Sequence, residues 1–376
     1  MTDIHGYCDP RFEAVFNQFK KNFDEGLDQG GSFALSCEGE MVVDIWAGYR
    51  DRAGEQPWQE DTLINVYSTT KTMAAQCLLL LADRGEVQLD AKVTTYWPEF
   101  AQNGKENVEV RHFLSHSAGL SGMDEAFSGD AVYDWDRMVQ ALAAQAPWWE
   151  PGSQSGYHAL TQGHLIGEVV RRVTGKSLGQ FFAEEIAGPL DAEFYIGTPE
   201  RVFDRIGELI PPSDSAPAST GGPDSIAART FKSPAIDARD SRTAGWRKAE
   251  IPAANGHGNA RSVVRAQTPM ANGGKAWGVD LMSAAGVARI FEEQTHGDDL
   301  VLGVPIRFGM GYGLTSEDLP MGPNPNIGYW GGWGGSTIVV DADAHVCCSF
   351  VMNKMYASLL GDTRGFSLLQ AVYESL

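Results

Sequence analysis

Basic residues are scarce in this chain: 29 Lys and Arg stand against 49 Asp and Glu in 376 residues, a formal net charge of −20. Such a balance argues against a nucleic-acid or anionic-membrane partner, because no basic stripe offsets the repulsion. Cysteine is sparse as well. The five thiols, Cys8, Cys37, Cys77, Cys347 and Cys348, are odd in number and form no C-x-x-C. They suggest neither a disulfide framework nor a zinc knuckle and read as reduced thiols in or near the core. No apolar run reaches membrane-spanning length, and "MTDIHGYCDPRFEAVF" lacks the basic start, apolar centre and cleavage site of a signal peptide. The expected location is the cytoplasm, with no membrane partner. His112 and His116 are four apart, but the Glu that follows the first His of a zincin is missing, so they read as loop anchors. Neither a metal nor a cofactor is expected.

What is present suffices for a large core: 43% hydrophobic residues, ten of them Trp. Phe12, Val15, Phe16, Phe19, Phe23 and Leu27 recur at three- and four-residue spacings and predict an amphipathic helix. "SFALSCEGEMVVDIWAGYRD" predicts two strands around a Glu38-Gly39 turn, and "STIVVDADAHVCCSFVMN" predicts another pair. The two chain ends are thus expected to build one sheet domain. Between them the sequence is mainly helical, with Leu165, Ile166, Val169, Val170 and Val173 on one helical face. The expected division is residues 1–85 and 276–376 as the two parts of an α/β domain, and 86–275 as an inserted helical domain. Within the insert, 208–260 is polar and rich in Pro, Ser and Gly. A stretch that long predicts a lid, a pocket wall or a mobile excursion.

Residues 175–179, "GKSLG", form a literal G-x-S-x-G, which in many esterases marks the nucleophile. That elbow needs a strand before the serine. Here a helix precedes Ser177, so Gly175 reads as a helix stop and Ser177 as the cap of the next helix. "GKS" also lacks the upstream glycine of a phosphate-binding loop, position 170 being Val.

Ser68-Thr69-Thr70-Lys71 is the better candidate. Residues three apart lie one above the other on a helix, so the Lys71 amine can reach the Ser68 hydroxyl and take its proton. Burial beside "MAAQCLLLLA" disfavours the ammonium form and makes Lys71 a stronger base than a surface lysine. An N-cap serine beside a snorkelling lysine is the plain alternative, and S-x-x-K alone is a weak signal. Two further stretches add to it: Tyr157 in a Gly/Ser-rich loop just before a helix, and "GYWGGWGGSTIVV", which puts glycines directly before a strand.

Taken in order, Ser68-Thr69-Thr70-Lys71, Tyr157-His158-Ala159 and Trp330-Gly331-Gly332 resemble the three signatures of the serine β-lactamase and penicillin-binding protein superfamily. Within it the chain is most similar to the class C-related family VIII carboxylesterases. "VRHFLSHSAGL", "IPAANGHGNARS" and "RFGMGYGL" extend the likeness over most of the chain, residues 200–250 excepted. The fold implied is α/β of the α+β type: an antiparallel sheet flanked by N- and C-terminal helices, with an inserted all-helical domain.

The resemblance implies that Ser68 is the acylated nucleophile, Lys71 its base and Tyr157 the partner that relays the proton to the leaving group. Which of Lys71 and Tyr157 is the base at each step stays open at this level. The oxyanion hole would be the backbone N–H groups of Ser68 and Trp333. Trp330, Gly331, Gly332 and His158 are expected at the substrate pocket. His257 is a candidate for ordering the opposite wall, and Tyr133, Trp149 and Trp246 are further aromatic candidates that read more simply as core. The group often carries a surplus, non-catalytic G-x-S-x-G, in keeping with the reading of Ser177.

Two departures from the β-lactamase pattern bear on substrate. Ala159 stands where those enzymes have the Asn of Tyr-x-Asn, and Trp330 where they have the Lys of Lys-Thr-Gly. A lysine there holds a substrate carboxylate by a charge-assisted bond of about 1.5–3 kcal/mol, which Trp cannot supply. The expected activity is therefore hydrolysis of neutral short to medium-chain carboxylic esters, with a small-molecule ester as partner and activity rising toward mildly alkaline pH. The alternatives are a β-lactamase or amide and peptide hydrolase on the same scaffold, an acyltransferase, and a silent binding protein that kept the fold. The oligomeric state is not legible.

Overall fold

In the computed structural model, which describes residues 2–212 and 221–376, both chain ends enter one nine-stranded antiparallel sheet. In chain order its strands are β1 (Ile4–Cys8), β2 (Gly30–Cys37), β3 (Glu40–Gly48), β4 (Thr295–Asp298), β5 (Pro305–Phe308), β6 (Gly313–Leu314), β7 (Ile327–Gly331), β8 (Thr337–Asp341) and β9 (Val346–Met352). They lie side by side as β1-β3-β2-β9-β8-β7-β6-β5-β4. The β2–β3 hairpin closes on Glu38 (φ 52°) and Gly39 (φ 79°), with Cys37 opposite Glu40. Two positive φ values in a two-residue loop match the right-handed strand twist.

Among the described residues six helices have ten residues or more: α1 (Glu13–Asp24), α2 (Thr70–Asp83), α3 (Trp135–Ala144), α4 (Thr161–Thr174), α5 (Ala260–Ala271) and α6 (Thr363–Ser375). The central strands β2 and β9 are buried at every residue, because helices cover both sheet faces. On one face Ser36 bonds Thr268 of α5, Oγ to Oγ1 2.7 Å. On the other, Phe350 of β9 lies beneath the Arg364 guanidinium of α6, and α1 packs along α6.

Helix α2 is buried at every residue from Thr70 to Leu81 and packs against α4. An apolar helix with no polar face has no side to give to water, so it settles in the middle of the molecule. Its N-terminal end is delivered by a two-residue strand pair, Ile64–Asn65 with His257–Gly258. Helix α4 ends at Gly175 in the left-handed conformation (φ 74°). Ser177 then caps the next helix: its Oγ accepts from Gln180 N–H, and Gln180 returns the bond to the Ser177 N–H. Ser177 Oγ also donates to Glu250, at 2.5 Å.

The polar stretch 208–260 is not simply a loop. Residues 213–220 lie outside the described residues, but the remainder holds helices Ile226–Lys232 and Ala244–Lys248 and a 3-10 turn at Ala238–Arg242. Ser225, Asp237 and Thr243 cap them. Each is too short to give a readable hydrophobic period, which is why composition alone suggests irregular chain.

Among the described residues no helix is long and apolar enough to cross a membrane.

Candidate active site

The chain approaches Ser68 along a rail of hydrogen bonds. Asn65 Nδ2 donates to the Ala254 carbonyl (2.8 Å), Trp246 Nε1 donates to Asn65 Oδ1 (2.6 Å), and the Val66 N–H donates to the Gly256 carbonyl (3.0 Å). Tyr67 then takes a left-handed φ of 43°. For a bulky residue that conformation is strained and needs its surroundings to hold it. The Tyr67 ring is fixed between Trp333 (5.1 Å) and Trp246 (6.2 Å), and the Tyr67 carbonyl accepts from the Thr70 hydroxyl (2.5 Å). Ser68 emerges from this turn half-buried, two residues before α2.

Lys71, the second residue of α2, is 1% exposed. Its Nζ lies 3.1 Å from Ser68 Oγ, 2.7 Å from the Ala159 carbonyl and 2.9 Å from the Ala253 carbonyl. Burial pushes its pKa well below the ordinary lysine value, because no carboxylate accompanies the charge. A free amine has two N–H groups and one lone pair. Two carbonyls can take the N–H groups, which leaves the lone pair for the Ser68 hydroxyl.

Tyr157 Oη donates to Ser68 Oγ at 2.5 Å. Burial raises its pKa, against the opposing pull of Ser68 and the Trp330 indole; the phenol is therefore held protonated. Asp299 anchors Tyr157 from behind, its Oδ1 accepting the N–H groups of Tyr157 (3.0 Å), Val301 and Leu302 (both 2.9 Å). Sequence reasoning missed Asp299, which carries no motif of its own.

Ser68 and Tyr157 open into a cavity of about 330 Å³ walled by Tyr67, Leu160, Phe231, Ile236, Trp333 and Leu359, with Thr230 and Asp237 adding polar groups. No Lys or Arg is among the described residues that line it. Asp237 is ion-paired with Arg239, which pulls its pKa down to about 2. A pocket wall was one of the expectations for 208–260, and 230–237 supplies part of it; the individual lining residues and Leu359 were not legible in the sequence.

The other expected pocket residues stand behind this surface rather than on it. His158 is fully buried; its Nδ1–H donates to the Gly156 carbonyl (2.6 Å) and its Nε2 accepts the Leu120 N–H (3.2 Å). Burial drives its pKa down to about 3, so it is a neutral anchor that does not line the cavity. Trp330 packs at a tilt behind Tyr157 (5.4 Å) and stacks on His116 (5.9 Å). Gly331 and Gly332 are points of close backbone approach: a Cβ would lie 2.5 Å from the Leu360 carbonyl carbon at Gly331, and 2.1 Å from the Val66 carbonyl oxygen at Gly332.

The other candidate histidines, His112, His116 and His257, are also engaged within the protein. His112 Nδ1 accepts the Glu109 N–H and His116 Nδ1 accepts the His158 N–H. His257 Nδ1 pairs with the Thr198 hydroxyl, beneath the strand leading to Ser68. Of the aromatic candidates only Trp333 reaches the cavity. Trp246 backs Tyr67, Trp149 packs on His158, and Tyr133 sits under Gly245.

Comparison with known proteins identifies the family. The β-lactamase family profile matches residues 19–371. The esterase/β-lactamase LipL of Mycobacterium tuberculosis is 36% identical over 96% of this chain and 86% of its own. The crystal structure of a family VIII carboxylesterase superposes with a TM-score of 0.94 at 42% identity, covering the whole of both chains. A penicillin-binding protein homologue from Caulobacter crescentus gives 0.93 at 39% identity, again over both whole chains. The chain therefore belongs to the β-lactamase family, with a fold shared by family VIII carboxylesterases.

Proposed function

We propose that the protein hydrolyses neutral carboxylic esters through an acyl group carried on Ser68. The observation that carries this reading is the placement of Ser68 Oγ between Lys71 Nζ (3.1 Å) and Tyr157 Oη (2.5 Å) at the wall of a mainly apolar cavity. Kinship with an esterase/β-lactamase and a family VIII carboxylesterase supports the same class of reaction.

In the proposed reaction the free Lys71 amine takes the Ser68 proton as Oγ attacks the ester carbonyl. The N–H groups of Ser68 and Trp333 hold the resulting oxyanion. Tyr157, kept protonated by burial, gives its proton to the departing alkoxide, and the Lys71 ammonium returns one to the tyrosinate. Water then attacks the acyl-serine by the reverse relay and releases the carboxylic acid, so the net change is ester plus water to acid plus alcohol. The shifts of Lys71 and Tyr157 in opposite directions favour Lys71 as the base of acylation.

Neutral esters are favoured because no Lys or Arg is among the described residues that line the cavity, and Asp237 stands on its wall. The second reading, a β-lactamase, needs recognition of an anionic substrate, which these residues do not supply. Turnover of p-nitrophenyl butyrate compared with a chromogenic cephalosporin tests the choice. The ester is expected to be faster by orders of magnitude in kcat/KM, and a preference for the cephalosporin would overturn the reading.

A further inference from the structure

We infer that Ser336 is a positioning residue that fixes the two amides of the oxyanion hole relative to each other. The inference rests on the reading above, in which Ser68 is acylated and the N–H groups of Ser68 and Trp333 hold the oxyanion.

Those two amides come from distant parts of the chain. Trp333 lies in the turn between β7 and β8, and Ser68 in the turn ahead of α2. Ser336 belongs to both by its bonds. Its carbonyl accepts the Gly332 N–H (2.8 Å), which closes the turn that presents Trp333. Its hydroxyl crosses to the other segment, donating to the Val66 carbonyl (2.9 Å) and lying 3.0 Å from Thr69 Oγ1. Val66 and Thr69 flank Ser68 on either side.

The proton count gives the pairing a direction. The Val66 carbonyl can only accept, so it takes the Ser336 proton, and the Thr69 hydroxyl must donate to Ser336 Oγ. Ser336 is 2% exposed and Thr69 is fully buried, so no water competes for these bonds. Neither side chain lines the cavity. Their effect on the reaction is therefore carried through the backbone of the two turns.

The Trp333 turn has a second support on its far side. Arg364, buried and ion-paired with Asp28 and Asp362, donates to the Gly334 carbonyl (2.8 Å). Losing the Ser336 hydroxyl should therefore leave the turn folded but free its register against Ser68. Oxyanion donors act only when correctly placed: loss of one costs about 10²–10³ in kcat, and a misplacement of about 1 Å costs roughly 10².

The test compares wild type with Ser336→Ala, Thr69→Val and Thr69→Ser, the last of which keeps the hydroxyl. Steady-state turnover of p-nitrophenyl butyrate is measured with the melting temperature of each variant. The carbonyl stretch of the acyl-enzyme is then recorded with ¹³C-carbonyl p-nitrophenyl trimethylacetate, after intact-mass confirmation of the adduct. Ser336→Ala is expected to remain folded and to lower kcat about ten- to hundredfold with KM within about twofold. Its acyl carbonyl band should move to higher wavenumber as the oxyanion contacts lengthen. Thr69→Val should follow in the same direction, and Thr69→Ser should stay within about threefold of wild type in kcat. An acylated wild type with an unchanged kcat or an unshifted band in Ser336→Ala overturns the clamp alone. A wild type that carries no acyl group on Ser68 overturns the underlying reading, and the clamp with it.

Discussion

Gly332 lies so close to Val66 that a Cβ built on it would stand 2.1 Å from the Val66 carbonyl oxygen and 2.4 Å from Ser336 Oγ. Both obstacles belong to the contact between the Trp333 turn and the turn bearing Ser68. Backbone on one side and a hydrogen-bonded hydroxyl on the other leave no flexible end to yield. Gly332→Ala is expected to push the turns apart at an overpacking cost of about 1–3 kcal/mol and to lower ester turnover by about a hundredfold or more. Thermal melting and p-nitrophenyl butyrate hydrolysis check the two effects, and full activity in the variant would contradict the assigned geometry.

Lys71 gives a prediction with a sign in pH. Burial depresses its pKa, and the base is the deprotonated form, so kcat/KM should rise with pH and level off well short of the ordinary lysine range near about 10.4. A profile that keeps climbing through that range would contradict the role. Lys71→Arg places a permanent cation there and supplies no base. It is expected to reduce kcat by about 10²–10⁴, which single-turnover acylation would measure directly.

Three buried histidines make acid stability a second pH test. His158 and His257 are pushed down to about 3 and His164 to about 4, in each case chiefly by burial. In the unfolded chain each returns to about 6.5. Below that value the unfolded state binds more protons than the folded one, so stability is full above about pH 6.5 and is lost as pH falls toward the folded values. At pH 5 each histidine costs about 2 kcal/mol. Urea midpoints at pH 7 and pH 5 should show a marked loss at the lower pH; equal midpoints would contradict neutral burial of these rings.

The cavity wall predicts a change of acyl-chain preference. Phe231 packs on the wall beside Ile236 and Pro234, and truncation there opens room without touching Ser68, Lys71 or Tyr157. Phe231→Ala is expected to raise the octanoate-to-butyrate ratio of kcat/KM for p-nitrophenyl esters by on the order of tenfold. An unchanged ratio would place the acyl group elsewhere.

How far the sequence could be read depended on the range of each interaction. The Glu38-Gly39 hairpin, the Gly175 stop and the Ser177 cap are set by neighbours, and the residues name them directly. Ser68 and Lys71 are one helical turn apart, so their approach was legible from spacing, whereas Tyr157 was found through the resemblance. His158 shows the limit of adjacency. Tyr157 faces Ser68 while its chain neighbour His158 turns inward to Gly156 and Leu120. The length of the Ser- and Pro-rich stretch 208–260 allowed a pocket wall among other roles, but not which residues form it, because its capped helices are too short for a period. Leu359 and Asp299 reach the site through tertiary contacts that leave no local pattern.

The central claim is that Ser68, and not the serine of the G-x-S-x-G motif, forms the covalent intermediate. Intact-mass analysis after treatment with a fluorophosphonate tests it directly in wild type, Ser68→Ala and Ser177→Ala. The account predicts a single adduct on wild type and on Ser177→Ala, and none on Ser68→Ala. An adduct that persists on Ser68→Ala and disappears from Ser177→Ala would contradict it.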